Sequence, residues 1–141
     1  MHGHALSEAD RRFRDAFEAC TVTPAEFTHA AHVRLAYVYL AELDVEHAVQ
    51  RMRESLLKFI AHHNIPSSKF HETLTRAWVL AVRHFMDRSP SSSAEDFVAR
   101  HPQLLDSKIM LTHYSAEVLF SSDARASFVE PNLEPIPRPV K

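Results

Sequence analysis

Residues 23–43 have the sequence TPAEFTHAAHVRLAYVYLAEL, which combines a strong helix start with a dense run of apolar side chains. Thr23 can cap a helix, Pro24 suits the first helical position, and Glu26 occupies the position of the acidic partner in a capping box. The apolar side chains that follow give this helix a large surface to bury. These residues therefore predict a helix from Thr23 to about Leu43.

Helical patterns also flank this segment on both sides. A first helix is predicted to start at the cap Ser7, and a third starts at the cap Asp44 and ends at the break formed by residues 64–68. A fourth is predicted over about residues 69–86, and a short fifth over about residues 94–100. Connections this short favour antiparallel neighbours, so the sequence predicts an all-α fold, a small up-down bundle of about five helices.

The chain is predicted to form one domain followed by a short tail. Residues 1–130 hold the helical patterns, including one or two short helical pieces within residues 104–120. Residues 131–141 contain four prolines between Pro131 and Pro139, which remove backbone donors and prevent a helix. This proline-rich tail is therefore expected to be extended, draped over the domain or disordered.

Composition excludes several classes of protein. The 141 residues include one glycine, Gly3, which excludes glycine-rich phosphate-binding loops, and one cysteine, Cys20, which excludes internal disulfides and thiolate zinc sites. A net charge of −2 gives no electrostatic basis for binding nucleic acid. No apolar run approaches the length of a membrane span, and the first residues lack the apolar core of a signal peptide. We therefore expect a cytoplasmic protein that binds neither nucleic acid nor membrane.

Histidine is the enriched functional residue, with eleven copies. His29 and His32 are three residues apart and share a helix face with apolar neighbours, so both are predicted to point inward. His71 lies on the apolar stripe of the fourth helix, and antiparallel packing places it in the same half of the bundle. Three neutral imidazoles with an open coordination position are typical of a reactive metal site. The sequence therefore predicts a mononuclear site for a divalent transition metal (Zn, Cu, Fe or Ni) at His29, His32 and His71.

Two neighbouring residues leave alternatives open at this site. Glu72 could complete the ligand set, act as a general base on a metal-bound water, orient a histidine, or simply stabilise the first turn of its helix. We take Glu72 as the candidate catalytic residue. His63 could be a further ligand or a histidine placed at a helix end by the helix dipole. A single histidine on an apolar face is more often a hydrogen-bonded core residue than a ligand, and only the convergence of three changes that expectation.

Two of these stretches resemble a known family. Residues 26–34, EFTHAAHVR, and residues 69–75, KFHETLT, resemble the THxAHxR and K(Y/F)HETLT motifs of an uncharacterised family of small bacterial all-helical proteins. Residues 120–131, FSSDARASFVEP, are similar to the C-terminal segment of that family, so the resemblance covers most of the chain. The resemblance implies an all-helical fold and includes the histidines selected above, but it implies no particular reaction.

Two classes of function remain open from the sequence. The first is a metal-dependent enzyme that acts on a small molecule through the mononuclear histidine site, by hydrolysis, isomerisation, lyase chemistry or oxidation. The alternative is a non-enzymatic helical sensor or partner-binding module with structural histidines, which would show an exposed apolar face and no polar-lined cavity. A haem-binding bundle ranks third because haem needs a wide apolar cleft, and a chain of this size is compatible with a homodimer.

Overall fold

The computed structural model describes residues 4–137, and within this range it contains no β-strand beyond one isolated bridge between His4 and Ser91. The α-helices are α1 (Glu8–Glu18), α2 (His29–Glu42), α3 (Val45–His62), α4 (Glu72–Met86), α5 (Ala94–Arg100), α6 (Ala116–Leu119) and α7 (Ser122–Ala126). Short 3-10 helices cover Pro24–Glu26, Ser67–Lys69, Pro102–Leu105 and Ser107–Thr112. None of these helices combines the length and apolarity needed to cross a membrane. The predicted all-α class is confirmed.

Helix α2 occupies the centre of the fold because its surface is apolar on nearly all sides. Val33 and every residue from Leu35 to Leu40 are buried. A helix that is apolar all round has to be enclosed by other elements. Accordingly, α2 packs against α1, α3, α4 and α5, and α3 packs against α4 beside it.

Helix α2 begins later than the sequence predicted. The capping box of Thr23 and Glu26 forms, but it starts the separate 3-10 helix Pro24–Glu26. Thr28 then caps α2, and its hydroxyl oxygen accepts a hydrogen bond from the N–H of Ala31 at 3.3 Å. The segment therefore contains two caps in succession, and the second one starts the long helix.

The break between these two helices lies at Phe27, which is pulled into an aromatic cluster. Its ring lies 4.7 Å from the ring of Phe17 and 5.5 Å from that of Phe59, measured between centroids. Two such ring contacts and the apolar area that they bury stabilise by an amount comparable to one or two helical hydrogen bonds, so packing can place the break here. As a result, His29 and His32 lie in the first turn of α2, at the end of the bundle.

The chain after α5 adds two short α-helices, α6 and α7, to the five helices that were predicted. Helix α7 packs against α4, and α6 packs against α7. The hydroxyl of Thr73 in α4 donates to the carbonyl of Ser127 at 3.0 Å and accepts from the N–H of Val129 at 3.1 Å. These bonds fix the C-terminal segment to α4.

The described part of the proline-rich tail lies on the domain. Residues 131–137 have no regular helix, and the N–H of Leu133 donates to the carbonyl of His113 at 2.9 Å. Ile136 is 4% exposed and belongs to the core. The rest of the predicted tail, residues 138–141, lies outside the described residues.

Asp10 joins α1 to α2 and α5 through a buried carboxylate. The side chain is 1% exposed, and its oxygens accept from Nε of Arg34 at 3.1 Å and from the N–H groups of Ser7 and Ala94 at 3.1 and 3.0 Å. Burial raises the pKa of this carboxyl, but these donors outweigh burial and hold its pKa below the ordinary value of 3.8. The folded structure therefore stabilises the ionised form.

We expect Asp10→Ala to lower the free energy of unfolding by about 2–4 kcal/mol at neutral pH, because it leaves Arg34 and the N–H of Ala94 without an acceptor. Since the folded-state pKa is depressed, this stabilisation is fully present above pH 3.8 and is lost as the pH falls through the folded-state pKa. Urea unfolding of both proteins over a pH series measures the difference. The exposed control Asp15→Ala should change stability by less than about 0.5 kcal/mol. Equal losses in the two variants would contradict the prediction.

Candidate functional site

A cavity of about 550 Å³ opens at one end of the bundle, between the first turns of α2 and α4 and the C-terminal half of α3. This volume is typical of small-molecule binding sites. Its apolar lining consists of Pro24, Phe27, Leu56, Phe59, Ile60, Ile65, Phe70, Leu74 and Trp78. Its polar lining consists of Thr28, His29, His32, Lys69, His71, Thr75 and Ser107. The three histidines selected from the sequence therefore line one cavity, but they differ in what their ring nitrogens do.

His71 uses both ring nitrogens within the protein. Helix α4 begins at Glu72 rather than near residue 69, and His71 is its N-cap. Its Nδ1 accepts a hydrogen bond from the N–H of Leu74 at 3.1 Å, so Nε2 carries the proton and donates to the carbonyl of Leu119 at 2.7 Å. Burial lowers the pKa of His71, and the positive charge of Arg125 adds to that effect. The ring is therefore neutral, and it has no lone pair free for a ligand.

His29 uses one nitrogen and leaves the other open. Its Nε2 lies 2.9 Å from the carbonyl oxygen of Leu104, and since a carbonyl can only accept, Nε2 carries the proton. The ring meets Trp78 edge-on at a centroid distance of 4.5 Å. Nothing within residues 4–137 hydrogen-bonds to Nδ1. His29 is thus held in a fixed orientation with one lone pair unused.

His32 is the least engaged of the three. Its ring contacts those of Phe27 and His29 at centroid distances of 5.9 and 6.5 Å, and no group in the described part of the chain hydrogen-bonds to it. Burial, and then the neighbouring His29, lower its pKa to about 4. The half-buried imidazole is therefore neutral near pH 7 and presents one donor and one acceptor to the cavity.

The predicted metal site is not assembled among the described residues. No three His, Cys, Asp or Glu side chains between residues 4 and 137 are arranged to hold a metal ion. The rings of His29 and His32 are 6.5 Å apart and inclined by 21°. On one tetrahedral ion, metal–nitrogen bonds of about 2.1 Å would bring the two centroids to about 5 Å. A metal site would require at least one ring to turn, and His71 would have to give up its cap or its bond to Leu119.

Glu72, the candidate catalytic residue, is committed to an ion pair. Its carboxylate accepts from both Nε and Nη2 of Arg53 in α3, with the Nε contact at 2.8 Å. The side chain is buried and does not line the cavity. Action as a base or a metal ligand would require breaking this pair. Helical spacing alone does not reveal this pair, because Arg53 belongs to a different helix.

His63 also lies away from the cavity. It is the C-cap of α3, and its ring packs against that of Phe59 at 4.5 Å. Its Nε2 is buried and has no hydrogen-bond partner in the described range. The position supports a role in packing at the end of α3 rather than as a further ligand of the histidine cluster.

Sequence reasoning missed four polar residues on the cavity wall, Thr28, Lys69, Thr75 and Ser107. Lys69 ends the 3-10 helix Ser67–Lys69, and Ser107 starts the 3-10 helix Ser107–Thr112. The only sequence signal for Lys69 was its place two residues before His71. Ser107 carried no signal, because its approach to the cavity depends on how the C-terminal segment folds back.

Comparison with protein-family models, curated proteins and solved structures finds no match to this chain. The resemblance of residues 26–34 and 69–75 to a bacterial helical family stays a prediction.

We expect His71→Ala to lower the free energy of unfolding by about 2–3 kcal/mol, because α4 loses its cap and the carbonyl of Leu119 loses its donor. His71→Asn should recover about 1 kcal/mol, since asparagine is a good N-cap. Urea unfolding at neutral pH measures both changes. His47→Ala is the matched control, because His47 is exposed and bonds only to Asp44. A loss at His71 no larger than at His47 would show that the structural role is wrong.

Proposed function

We propose that the protein binds a small, mainly apolar organic molecule in this cavity, with His32 as its polar contact. The observation that carries the proposal is an imidazole on a largely apolar wall with no hydrogen-bond partner among the described residues. His32 is half-buried, so its ring nitrogens are within reach of solvent. A ligand that hydrogen-bonds to His32 would replace that water, and its apolar body would cover the wall around the ring.

The rest of the wall supports an apolar ligand body. Phe59 and Trp78 are buried at the base of the aromatic surface, and Phe27 and Phe70 are half-buried beside them. Apolar contact supplies affinity in proportion to the area covered, whereas a few polar groups set orientation. His32 is placed to serve as such an orienting group.

The geometry favours recognition over catalysis at this site. Glu72 is paired with Arg53, and both nitrogens of His71 are engaged. A neutral His32 with a pKa of about 4 is a weak base but a good hydrogen-bonding partner. The proposed small-molecule ligand comes from the first hypothesis based on the sequence, the metal-dependent enzyme. The structural roles of His29 and His71 come from the alternative, the non-enzymatic module.

We expect His32→Leu to separate the polar and apolar parts of recognition. Leucine keeps an apolar wall but removes both ring nitrogens. Fragments with an apolar ring and a hydrogen-bonding group should shift the indole N–H resonance of Trp78 in the unchanged protein. In the variant their affinity should fall by roughly 3- to 10-fold, while pure hydrocarbon fragments keep theirs. Fragment screening by protein-observed NMR measures both.

His47→Leu is the control for this experiment, because it makes the same chemical change on the exposed surface of α3. It should leave every fragment affinity unchanged. The proposal would be contradicted if fragments with a hydrogen-bonding group bound the His32→Leu variant as tightly as the unchanged protein. It would also be contradicted if no fragment shifted the Trp78 resonance.

Metal-dependent action on a small molecule, as predicted from the sequence, is a second proposal that one observation supports. Metal-binding histidines usually donate their second ring N–H to a carbonyl or carboxylate. His29 does this through Nε2 to Leu104, which leaves Nδ1 free. With a turn of the His32 ring, the two residues would offer two ligands to Zn, Cu, Fe or Ni, and His71 would offer a third only by giving up its cap.

Elemental analysis of untagged protein, followed by titration with each of these metals, tests this second proposal. A site built on His29, His32 and His71 predicts near-stoichiometric metal that is lost in both His32→Leu and His71→Asn. A site on His29 and His32 alone predicts loss only in His32→Leu. Absence of binding to the unchanged protein after reconstitution would contradict the metal proposal and leave the cavity proposal in place.

A further inference from the structure

Resting on the proposed function, we infer the chemical class of the ligand. It is an amphiphilic organic acid whose apolar body fills the cavity and whose single carboxylate meets the ammonium group of Lys69. A medium-chain or aryl-substituted carboxylic acid has this chemistry. Such an acid matches the cavity wall, because the described lining is mainly apolar and includes the cationic side chain of Lys69.

Lys69 carries a charge that has no partner among the described residues. Its backbone is held in a 3-10 helix, where its N–H donates to the carbonyl of Pro66 at 3.0 Å. Its side chain is exposed on the cavity wall, and its Nζ has no ion pair or hydrogen bond within residues 4–137. By contrast, Arg53 and Arg76, which lie on the nearby helices α3 and α4, are each paired with a glutamate.

The surroundings of Lys69 favour an anion. Of the described residues that line the cavity, none is acidic. Three acidic residues lie next to lining residues in sequence, and each is bonded elsewhere: Glu72 to Arg53, Glu26 to the hydroxyl and N–H of Thr23 at 3.0 and 2.9 Å, and Asp106 to the N–H of Lys108 at 3.0 Å. A carboxylate in the cavity would therefore meet no like charge on the wall.

A second cationic side chain, Arg125, adds positive charge near this end of the cavity. The guanidinium of Arg125 donates to the carbonyl of Ser68 at 3.3 Å, directly beside Lys69 in the chain. Its charge is close enough to lower the pKa of His71 on the wall. Lys69 and Arg125 therefore place two positive charges near this end of the cavity, although the chain as a whole has a net charge of −2.

The remaining polar groups fit a carboxylate better than a phosphate. The hydroxyl of Thr75 donates to the carbonyl of His71 and so is not free to donate to a ligand, whereas that of Thr28 accepts from the N–H of Ala31 and keeps its own proton. Phosphate sites usually combine several backbone N–H groups with guanidinium or ammonium groups. One ammonium on an otherwise uncharged wall suits a single negative charge.

Trp78 provides a direct test, because it is the chain's one tryptophan and lies on the cavity wall. We propose to titrate the protein with ω-bromooctanoate and with the bromo-alcohol and bromo-amine of the same chain length, and to follow bromine quenching of Trp78 fluorescence. The acid should bind roughly fivefold more tightly than the alcohol, and the amine more weakly than either. Added salt should lower the affinity for the acid and leave the affinity for the alcohol unchanged.

Lys69→Met should make the acid bind no better than the alcohol and leave the affinity for the alcohol within about twofold. Lys69 is exposed and unpaired, so the variant is expected to fold, and circular dichroism checks this. Arg12→Met on α1 removes the same charge away from the cavity and should keep the preference for the acid. Equal binding of the three ligands, or a preference that survives in Lys69→Met, would overturn the inference while leaving the proposed function intact. No quenching by any of the three would overturn both.

Discussion

The enclosure of α2 is the constraint on which the other elements depend. Because residues 35–40 are all buried, this stretch of α2 has no face that can meet water, and α1, α3, α4 and α5 have to surround it. The enclosure ends where the apolar run ends, at the first turn of the helix. Thr28, His29 and His32 lie in or next to that turn, so the cavity opens at the end of the central helix and takes its polar groups from there.

The sequence was sufficient to predict the long helices, but it was not sufficient to predict where α2 and α4 begin. The periodic segments that became α1 to α5 were identified, and the caps Ser7 and Asp44 lie where they were expected. Thr23 and Thr28 are both good caps, and local propensity cannot choose between them. The choice is made by Phe27, whose ring joins an aromatic cluster built from α1 and α3. Contacts of this kind are tertiary and leave no periodic signal.

The same division applies to the candidate site. Helical spacing was enough to bring His29, His32 and His71 to one cavity, because faces repeat every three to four residues. Helical spacing could not predict which hydrogen-bond partner each ring nitrogen has. His29 is bonded to Leu104 and His71 to Leu119, which are 75 and 48 residues away, in a region whose short helices had weak patterns. The prediction of three equivalent metal ligands followed from treating as alike three side chains that the fold makes different.

That difference can be stated as a count of hydrogen bonds within the described protein: two for His71, one for His29 and none for His32. His32 can therefore bond to a ligand through either ring nitrogen without giving up a bond within the described residues, and His29 can do so only through Nδ1. Elsewhere the fold satisfies its buried charge, as the four-way bonding of the Asp10 carboxylate shows. The ring nitrogens on the cavity wall that stay unbonded within residues 4–137, both of His32 and Nδ1 of His29, are the groups that the proposed ligand would meet.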